Sequence, residues 1–282
     1  MRLKDLSVII LIVCAFFPMG LFAQEILSVE LSTKRIDEAS GLAISRVNDG
    51  ILYCHNDSGG EASIFAIDTE GQLVAEIQIP GVTNRDWEDI ATAIDPLDGK
   101  AYIYIGEIGD NQAAHSSIYI YRIPDLAITD SLMVAEAPTI FEVTYEDHPR
   151  DAEALFVDSV SGDVYIISKR EERVGIYRLD HPLKSGEKNV AKRMGDMNLS
   201  WVTAADISPD GSKLLVKNYA EIRLYQKTEG VSITQALMGE GKKMPYQIEP
   251  QGEAICFDRA GKNYFTLSEA VGDAPQTLYY YR

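Results

Sequence analysis

The chain has 282 residues, of which 46% are hydrophobic, and a formal net charge of −17 at pH 7. This length is large for an ordinary domain but normal for one closed all-β domain. The negative charge argues against binding to nucleic acid or to anionic membrane surfaces, because these carry charge of the same sign.

The first predicted element is an export signal over residues 1–23. A short basic start precedes an apolar run, 8–22, which proline and glycine interrupt. The run is too short and too broken for a membrane span, and no other segment is apolar enough for one. The pattern predicts a signal peptide cleaved near Ala23 and a mature protein that is secreted or periplasmic. A lipid anchor at Cys14 is the alternative, but Val13 occupies a position where a lipoprotein signal needs a small residue.

Five turns at nearly even spacing mark five predicted hairpins. Asp-Gly and related pairs in these turns supply the positive φ that a tight hairpin needs. The turn glycines are Gly50, Gly99, Gly162, Gly211 and Gly261. A short apolar segment precedes each turn, and two segments rich in β-branched and aromatic residues follow it. The chain therefore contains five repeats of about 50 residues, each with at least three strands.

The ends of the chain predict how these repeats close. Fourth strands are expected at "LVAEIQI", "TIFEVTY", "NVAKRM" and "SITQALM", but the last repeat ends at Arg282 after its third strand. The N-terminal segment "ILSVELS" has no partner, so it should complete the last repeat. This predicts an all-β fold, a five-bladed β-propeller of four-stranded antiparallel sheets over residues 24–282, closed by the N-terminal strand in the last blade. We expect a monomer.

In a propeller, the loops before the first strands and the loops after the second strands meet at one mouth of the central channel. Glu88, Glu153 and Glu253 take matching positions in the first set, and the residues of the other two repeats are aligned as Ser40 and Ala205. The mouth is therefore predicted to bind a small-molecule or protein ligand. The candidate ligand-binding residues are Asp57, Arg85, Asp86, Glu88, Glu107, Asp151, Glu153, Lys169, Glu253 and Glu269.

Carboxylates held this close together need protons, cationic side chains or a metal ion. Calcium would suit them, because hard cations take oxygen ligands and secreted proteins meet millimolar calcium. The candidate calcium ligands are Asp57, Glu88, Glu153 and Glu253, with Asn56 or Asn218 as further oxygen donors. The alternative is architectural: the glutamates accept hydrogen bonds from loop N–H groups and pair with cations such as Lys169.

Several other residues have structural explanations. Cys54 and Cys256 lie in apolar strand patterns and are predicted to be buried free thiols, although an oxidising compartment would permit a disulfide. "HNDSGG" contains His55 and Ser58, but it lacks a nucleophile-elbow pattern and suits a turn. Trp87 is expected to be a packing anchor between blades.

Five short motifs carry a resemblance to known proteins. They are "EASGLA" (38–43), "HNDSG" (55–59), "DWEDIA" (86–91), "GEIGDN" (106–111) and "DAEAL" (151–155). In these motifs the chain resembles a group of secreted bacterial β-propeller proteins, and more distantly it is similar to the SdiA-regulated and phytase-like esterase propeller families. The resemblance covers nearly the whole mature chain and implies the propeller fold. It implies no catalytic residue, because the ligand sets of the propeller phytases and of the gluconolactonase-like propellers are not matched.

Three function classes follow from these observations. The first is a secreted propeller that binds a ligand, with calcium as the candidate cofactor, at the acidic rim. The second is a metal-assisted hydrolase of phosphoesters, esters, lactones or glycosides that uses the same carboxylates. The third is a protein-interaction scaffold.

Overall fold

The computed structural model describes residues 25–272 and 276–282, and the predicted signal peptide, residues 1–23, lies outside the described residues. The described chain is built from β-strands and one short helix, so the predicted all-β class is confirmed. Within those residues, no helix is long and apolar enough to cross a membrane.

Each of the five repeats pairs its first three strands antiparallel in chain order, as the hairpin turns predict. The turn glycines all adopt positive φ, from +63° at Gly261 to +81° at Gly162. The first strands are β2 (Ala39–Ile44), β6 (Trp87–Ile94), β11 (Ala152–Val157), β15 (Val202–Ile207) and β19 (Gly252–Phe257). The second strands are β3 (Ile51–Asn56), β7 (Ala101–Glu107), β12 (Val164–Ser168), β16 (Lys213–Asn218) and β20 (Tyr264–Ser268). The third strands are β4 (Ser63–Asp68), β8 (Ile118–Pro124), β13 (Val174–Leu179), β17 (Ile222–Gln226) and β21 (Thr277–Tyr281).

A fourth strand completes each repeat. The fourth strands are β5 (Leu73–Gln78), β10 (Thr139–Tyr145), β14 (Lys188–Met197), β18 (Lys242–Met244) and, in the last repeat, β1 (Ile26–Glu30). β1 pairs antiparallel with β21, with Ile26 opposite Tyr281. The predicted completion of the last repeat by the N-terminal strand is therefore confirmed.

One predicted strand is wrong. The segment "SITQALM" forms helix α1 (Ile233–Leu237), and the fourth strand of its repeat follows later as β18. Ser232 and Gln235 form a capping box at the start of the helix, in which each side chain accepts from the other residue's backbone N–H. This local pairing satisfies N–H groups that would otherwise lack partners, and it favours a helix over a strand.

Two parallel pairings join strands of different repeats. β10 of the second repeat pairs with β14 of the third, so these two repeats form one eight-stranded sheet. The insertion in the second repeat forms β9 (Leu132–Val134), which pairs with β5 at the outer edge of the first repeat. Both pairings cover edge backbone groups that would otherwise be open to another chain.

The five first strands contact one another in a closed cycle, in the order β2, β6, β11, β15, β19 and back to β2. Five hydrophobic clusters lie between the repeats, and each cluster combines side chains of two successive repeats. The cluster between the last and the first repeat contains both Cys54 and Cys256. Both are buried free thiols, as predicted.

Candidate functional site

All five first strands contain a β-bulge, and this bulge positions their side chains at the site. At the second residue of every first strand the pairing register shifts, which leaves that residue outside the ladder. Such a bulge bends the strand and redirects the side chain. The displaced residues are Ser40, Glu88, Glu153, Thr203 and Glu253. The alignment of Ala205 with the glutamates is therefore wrong, and Thr203 is the equivalent residue.

The residue at the bulge has one of two roles, depending on whether it is a hydroxyl residue or a glutamate. The Ser40 hydroxyl donates to the carbonyl oxygen of Glu88 at 2.7 Å, and the Thr203 hydroxyl donates to the carbonyl oxygen of Gly252 at 3.3 Å. In these two repeats the bulge residue therefore ties its strand to the next repeat. In the other three repeats the bulge residue is a glutamate, which brings a carboxylate to the same level of the cycle.

Carboxylates converge there in two overlapping groups. Oxygen atoms of Asp57, Asp86 and Glu88 lie within 4.8 Å of one another, and the same holds for Glu88, Asp151 and Glu153. We call these the first and the second triad, and Glu88 belongs to both. The structure thus brings together five of the predicted ligand-binding residues, contributed by the first three repeats.

The second triad is compensated by cationic side chains. Lys169 forms an ion pair with Glu153, and Arg170 forms one with Asp151. The Lys169 ammonium also lies 3.1 Å from the Tyr219 hydroxyl and 4.0 Å from a Glu253 carboxylate oxygen. These contacts agree with the architectural interpretation for this half of the site.

Among the described residues, no cationic side chain forms an ion pair with the first triad, although Lys169 and Arg85 favour its ionised form from a longer distance. Within residues 25–272 and 276–282, no hydrogen bond or salt bridge reaches the carboxylates of Asp57, Asp86 or Glu88, although Glu88 is only 3% exposed. Gly109 lies against this triad, and a Cβ at that position would overlap the oxygens of Glu88 and Asp86. An unpaired buried carboxylate is costly unless a proton or a cation neutralises it.

The pKa values of the clustered acids reflect this crowding. Burial, followed by the nearby Glu153 and Asp57 carboxylates, raises the pKa of Glu88 well above its ordinary value. Burial and the Asp86 charge raise the pKa of Asp57 to about 7. Burial raises the pKa of Glu153 to about 8, even though Lys169 acts in the opposite direction. Near neutral pH the site therefore tends to hold protons, and a cation could replace them.

Two further predicted residues, Glu253 and Glu269, lie beside the triads. Glu253 accepts a hydrogen bond from the Tyr219 hydroxyl at 2.5 Å, and Glu269 accepts one from the Gln251 side chain. Burial and a hydrogen bond with Glu253 raise the pKa of Glu269 to about 8. Within the described ranges, Glu253 belongs to neither triad.

Arg85 and Glu107 form a separate pair in the second repeat. Glu107 is buried, accepts from the Tyr121 hydroxyl at 2.7 Å and lies 3.5 Å from the Arg85 guanidinium. Trp87 is fully buried between His55 and Tyr121, with ring centroids 5.7 and 6.1 Å away. Its predicted role as a packing anchor is confirmed.

The two asparagines proposed as calcium ligands are used elsewhere. The Asn56 side-chain oxygen accepts from the N–H groups of Asp37 and Glu38, and that of Asn218 accepts from Ala220 and Glu221. Both amides therefore stabilise turns. The expectation that they supply metal ligands is not supported by these contacts.

Asp89, which follows Glu88 in the "DWEDIA" motif, is a further buried carboxylate, and among the described residues it belongs to neither triad. Asp89 is fully buried in β6 and accepts hydrogen bonds from the N–H groups of Ile90, Leu155 and Ala205, at 2.9, 2.8 and 3.4 Å. Burial raises its pKa well above the ordinary value, although these three donors oppose the shift. Asp89 thus links the second repeat to the third and fourth across the centre of the cycle.

Comparison of the chain with protein-family models and with curated proteins gives no match.

Proposed function

We propose that this protein is a five-bladed β-propeller that binds a divalent cation at the mouth of its ring and, through that cation, a ligand. The closed cycle of first strands supports five blades, as do the five cores that each join two successive repeats. The bulge residues lie at the same position in all five first strands. This shared position supports a single mouth at one end of the propeller.

The observation that carries the cation proposal is the state of Glu88. It is a nearly fully buried carboxylate where two triads overlap, and within the described chain it has neither a hydrogen-bond donor nor an ion-pair partner. Asp57 adds a buried carboxylate oxygen that likewise has no donor. A cation held by Asp57, Asp86 and Glu88 would satisfy all three residues.

Calcium is the cation that fits these residues best. The donors are carboxylate oxygens only, which hard cations prefer, and a transition metal would more often take histidine or cysteine ligands. Export through the predicted signal peptide would place the protein where calcium is abundant. Three carboxylates leave coordination positions that ligand oxygens could fill, since calcium takes about six to eight.

Groups around the two triads would orient the ligand. Lys169, Arg85 and Tyr219 supply donors for polar or anionic groups, whereas Glu253 and Glu269 supply acceptors. We therefore keep the ten predicted rim residues as the proposed ligand-binding set, with Asp57, Asp86 and Glu88 at the cation.

Calcium-dependent melting tests this proposal. We expect calcium at about 100 times its Kd to stabilise the mature chain by about 2.7 kcal/mol relative to chelator. Asp86→Asn should reduce this shift strongly, because it removes one ligand of the cation. Asp130→Asn, an exposed change of the same type, should retain it. Identical melting in calcium and in chelator would rule the cation out.

A metal-assisted hydrolase is the second candidate, and the state of Glu269 favours it. A carboxyl group with a pKa of about 8 is mostly protonated at pH 7 and could act as a general acid. A screen with phosphoester, lactone and aryl-glycoside substrates, with and without chelator, tests this candidate. Chelator-sensitive turnover that Glu269→Gln abolishes would support it, and no turnover of any substrate would count against it.

A further inference from the structure

The two triads share Glu88 and could hold two cations, but positive side chains already pair with two carboxylates of the second triad. We propose that the Lys169 ammonium group, paired with Glu153, takes the place of a second metal ion at the second triad, so that the mouth accepts a single divalent cation. This inference rests on the proposed function, because it specifies how many cations that site can take.

The contacts of Lys169 resemble those of a bound cation. Its ammonium group is paired with Glu153, lies 3.1 Å from the Tyr219 oxygen and 4.0 Å from Glu253, and sits over the Tyr219 ring at 5.3 Å. The residue is only 6% exposed. The ammonium group therefore has oxygen neighbours on several sides, as a coordinated metal ion would.

The backbone holds Lys169 in place from both sides. Its N–H donates to the Asp151 carbonyl at 3.0 Å, and its carbonyl accepts from the Trp201 N–H at 2.8 Å. These bonds join the loop after β12 to the segments that lead into β11 and β15. The backbone of Lys169 is therefore held by its own repeat and by the next one, which fixes the point from which its side chain extends.

The neighbouring Arg170 strengthens the exclusion of a second metal ion. Its guanidinium pairs with Asp151, so two of the three carboxylates in the second triad have cationic partners. Only Glu88 is left without one, and it is shared with the first triad. A divalent ion entering the second triad would lose Glu153 and Asp151 as free ligands and would meet two like charges at short range.

This arrangement limits the chemistry of the mouth. Two-metal catalysis needs two ions about 3.5–4 Å apart that stabilise the attacking and the leaving oxygen. Because Lys169 and Arg170 pair with two carboxylates of the second triad, the site leaves free carboxylates for one divalent ion, beside a fixed ammonium group. Any ligand would then be bound by a single metal ion flanked by a fixed positive charge.

Counting bound calcium tests the inference. Wild type, Lys169→Met, Lys169→Arg and Lys262→Met are dialysed against calcium, and elemental analysis gives the ions bound per chain. Lys262 lies in the last hairpin turn, so its replacement controls for the change in net charge. We expect one more ion in Lys169→Met than in wild type, and no change in the other two variants.

The difference between variants decides the inference, whereas the wild-type count decides the proposed function. Equal counts for wild type and Lys169→Met would overturn the inference even if wild type binds one ion. A wild-type count of zero would defeat the proposed function, and an extra ion in Lys169→Met would still support the role of Lys169. If Lys169→Met folds only when calcium is present, the ions are counted in that form.

A second ion bound to Lys169→Arg would also contradict the inference.

Discussion

Glu88 is the residue on which both acidic triads depend. Its position at the bulge of β6 removes it from the strand pairing, and the Asp57, Asp86 and Glu153 carboxylates surround it. Burial and like charges both disfavour its ionised form. In protein without a bound cation, Glu88 is therefore expected to decrease stability, and in cation-bound protein to increase it.

Replacement of Glu88 by glutamine should separate these two effects. In chelator, Glu88→Gln should raise the free energy of unfolding by about 1–3 kcal/mol, because it removes a buried group that has no partner. In calcium, the same variant should lose the calcium-induced increase in stability. Urea unfolding in both buffers measures the two changes.

Glu136→Gln is the matched control, because Glu136 is exposed and lies in the insertion of the second repeat. It should behave as wild type in both buffers. If Glu88→Gln were destabilising in chelator, Glu88 would have a stabilising partner in the metal-free protein, contrary to our interpretation.

Individual site residues were predictable where they carry charge at a repeated position. Glu88, Glu153 and Glu253 share a motif that is visible in the sequence, and the structure places each at a bulge. Thr203 was missed because the segment "TAAD" (203–206) matches the charged motifs best when Asp206 is aligned with Asp89. That alignment puts Ala205 in the place of the glutamates. Tyr219 was missed as a site residue because an uncharged side chain gives no signal before its partners are known.

Among the elements, the hairpins were predictable because their turns are locally encoded. Helix α1 has an equally local signal in Ser232 and Gln235, which apolar and β-branched neighbours obscured. The pairing of β9 with β5 has no local signal, because it depends on where an insertion crosses the edge of another repeat.

The contact between first strands predicts a strict requirement for glycine at position 41. A Cβ there would lie 2.8 Å from both the Ile90 backbone nitrogen and His55 Nε2. Gly41→Ala should therefore force β2 and β6 apart and lower the free energy of unfolding by about 1–3 kcal/mol.

Gly60→Ala is the control, because Gly60 has open space around its Cβ position and no positive φ. Urea unfolding of both variants measures the difference. Equal stability of the two would mean that β2 and β6 are not in close contact at Gly41.

For the whole molecule, the position of β1 predicts a circular permutant. The Arg282 N–H donates to the Glu25 carbonyl at 2.9 Å, so the two ends of the described chain are adjacent. A chain that begins at Thr33 and carries residues 25–32 after Arg282, joined by an Asn-Gly turn, should melt within about 5 °C of the native protein.

The same chain without residues 25–32 should melt at least about 10 °C lower, because β21 loses its outer partner. Calorimetry of the three proteins makes the comparison. If the truncated chain melts like the permutant, β1 does not contribute to closure of the ring.

The clustered acids also predict how stability depends on pH. Asp57, Glu153 and Glu269 have folded-state pKa values of about 7, 8 and 8, above their ordinary values. Between about pH 4 and pH 8 these carboxyl groups therefore bind more protons in the folded state than in the unfolded state, and their contribution to the free energy of unfolding falls as pH rises. Burial shifts the pKa values of Asp206 and Glu249 in the same direction.

In chelator, we expect the melting temperature to fall by about 5 °C or more between pH 5 and pH 8. Calcium should oppose this fall, because it replaces the protons that the site loses. Calorimetry across the pH range checks both statements. A melting temperature that rises with pH in chelator would show that the clustered acids are ionised without cost.

Because β10 pairs with β14, the repeats should differ in their stability against local unfolding. Four residue pairs, from Glu142 opposite Lys188 to Tyr145 opposite Ala191, join the second and third repeats at their outer edge. These repeats should therefore open together as one cooperative unit, with slow amide hydrogen exchange even in their outermost strands. Within the described residues, the outer strands β1 and β18 belong to no such shared ladder, and β18 is the shorter of the two, with three residues against five. Local unfolding of the ring should therefore begin in the fourth repeat, away from the three repeats that supply the acidic triads.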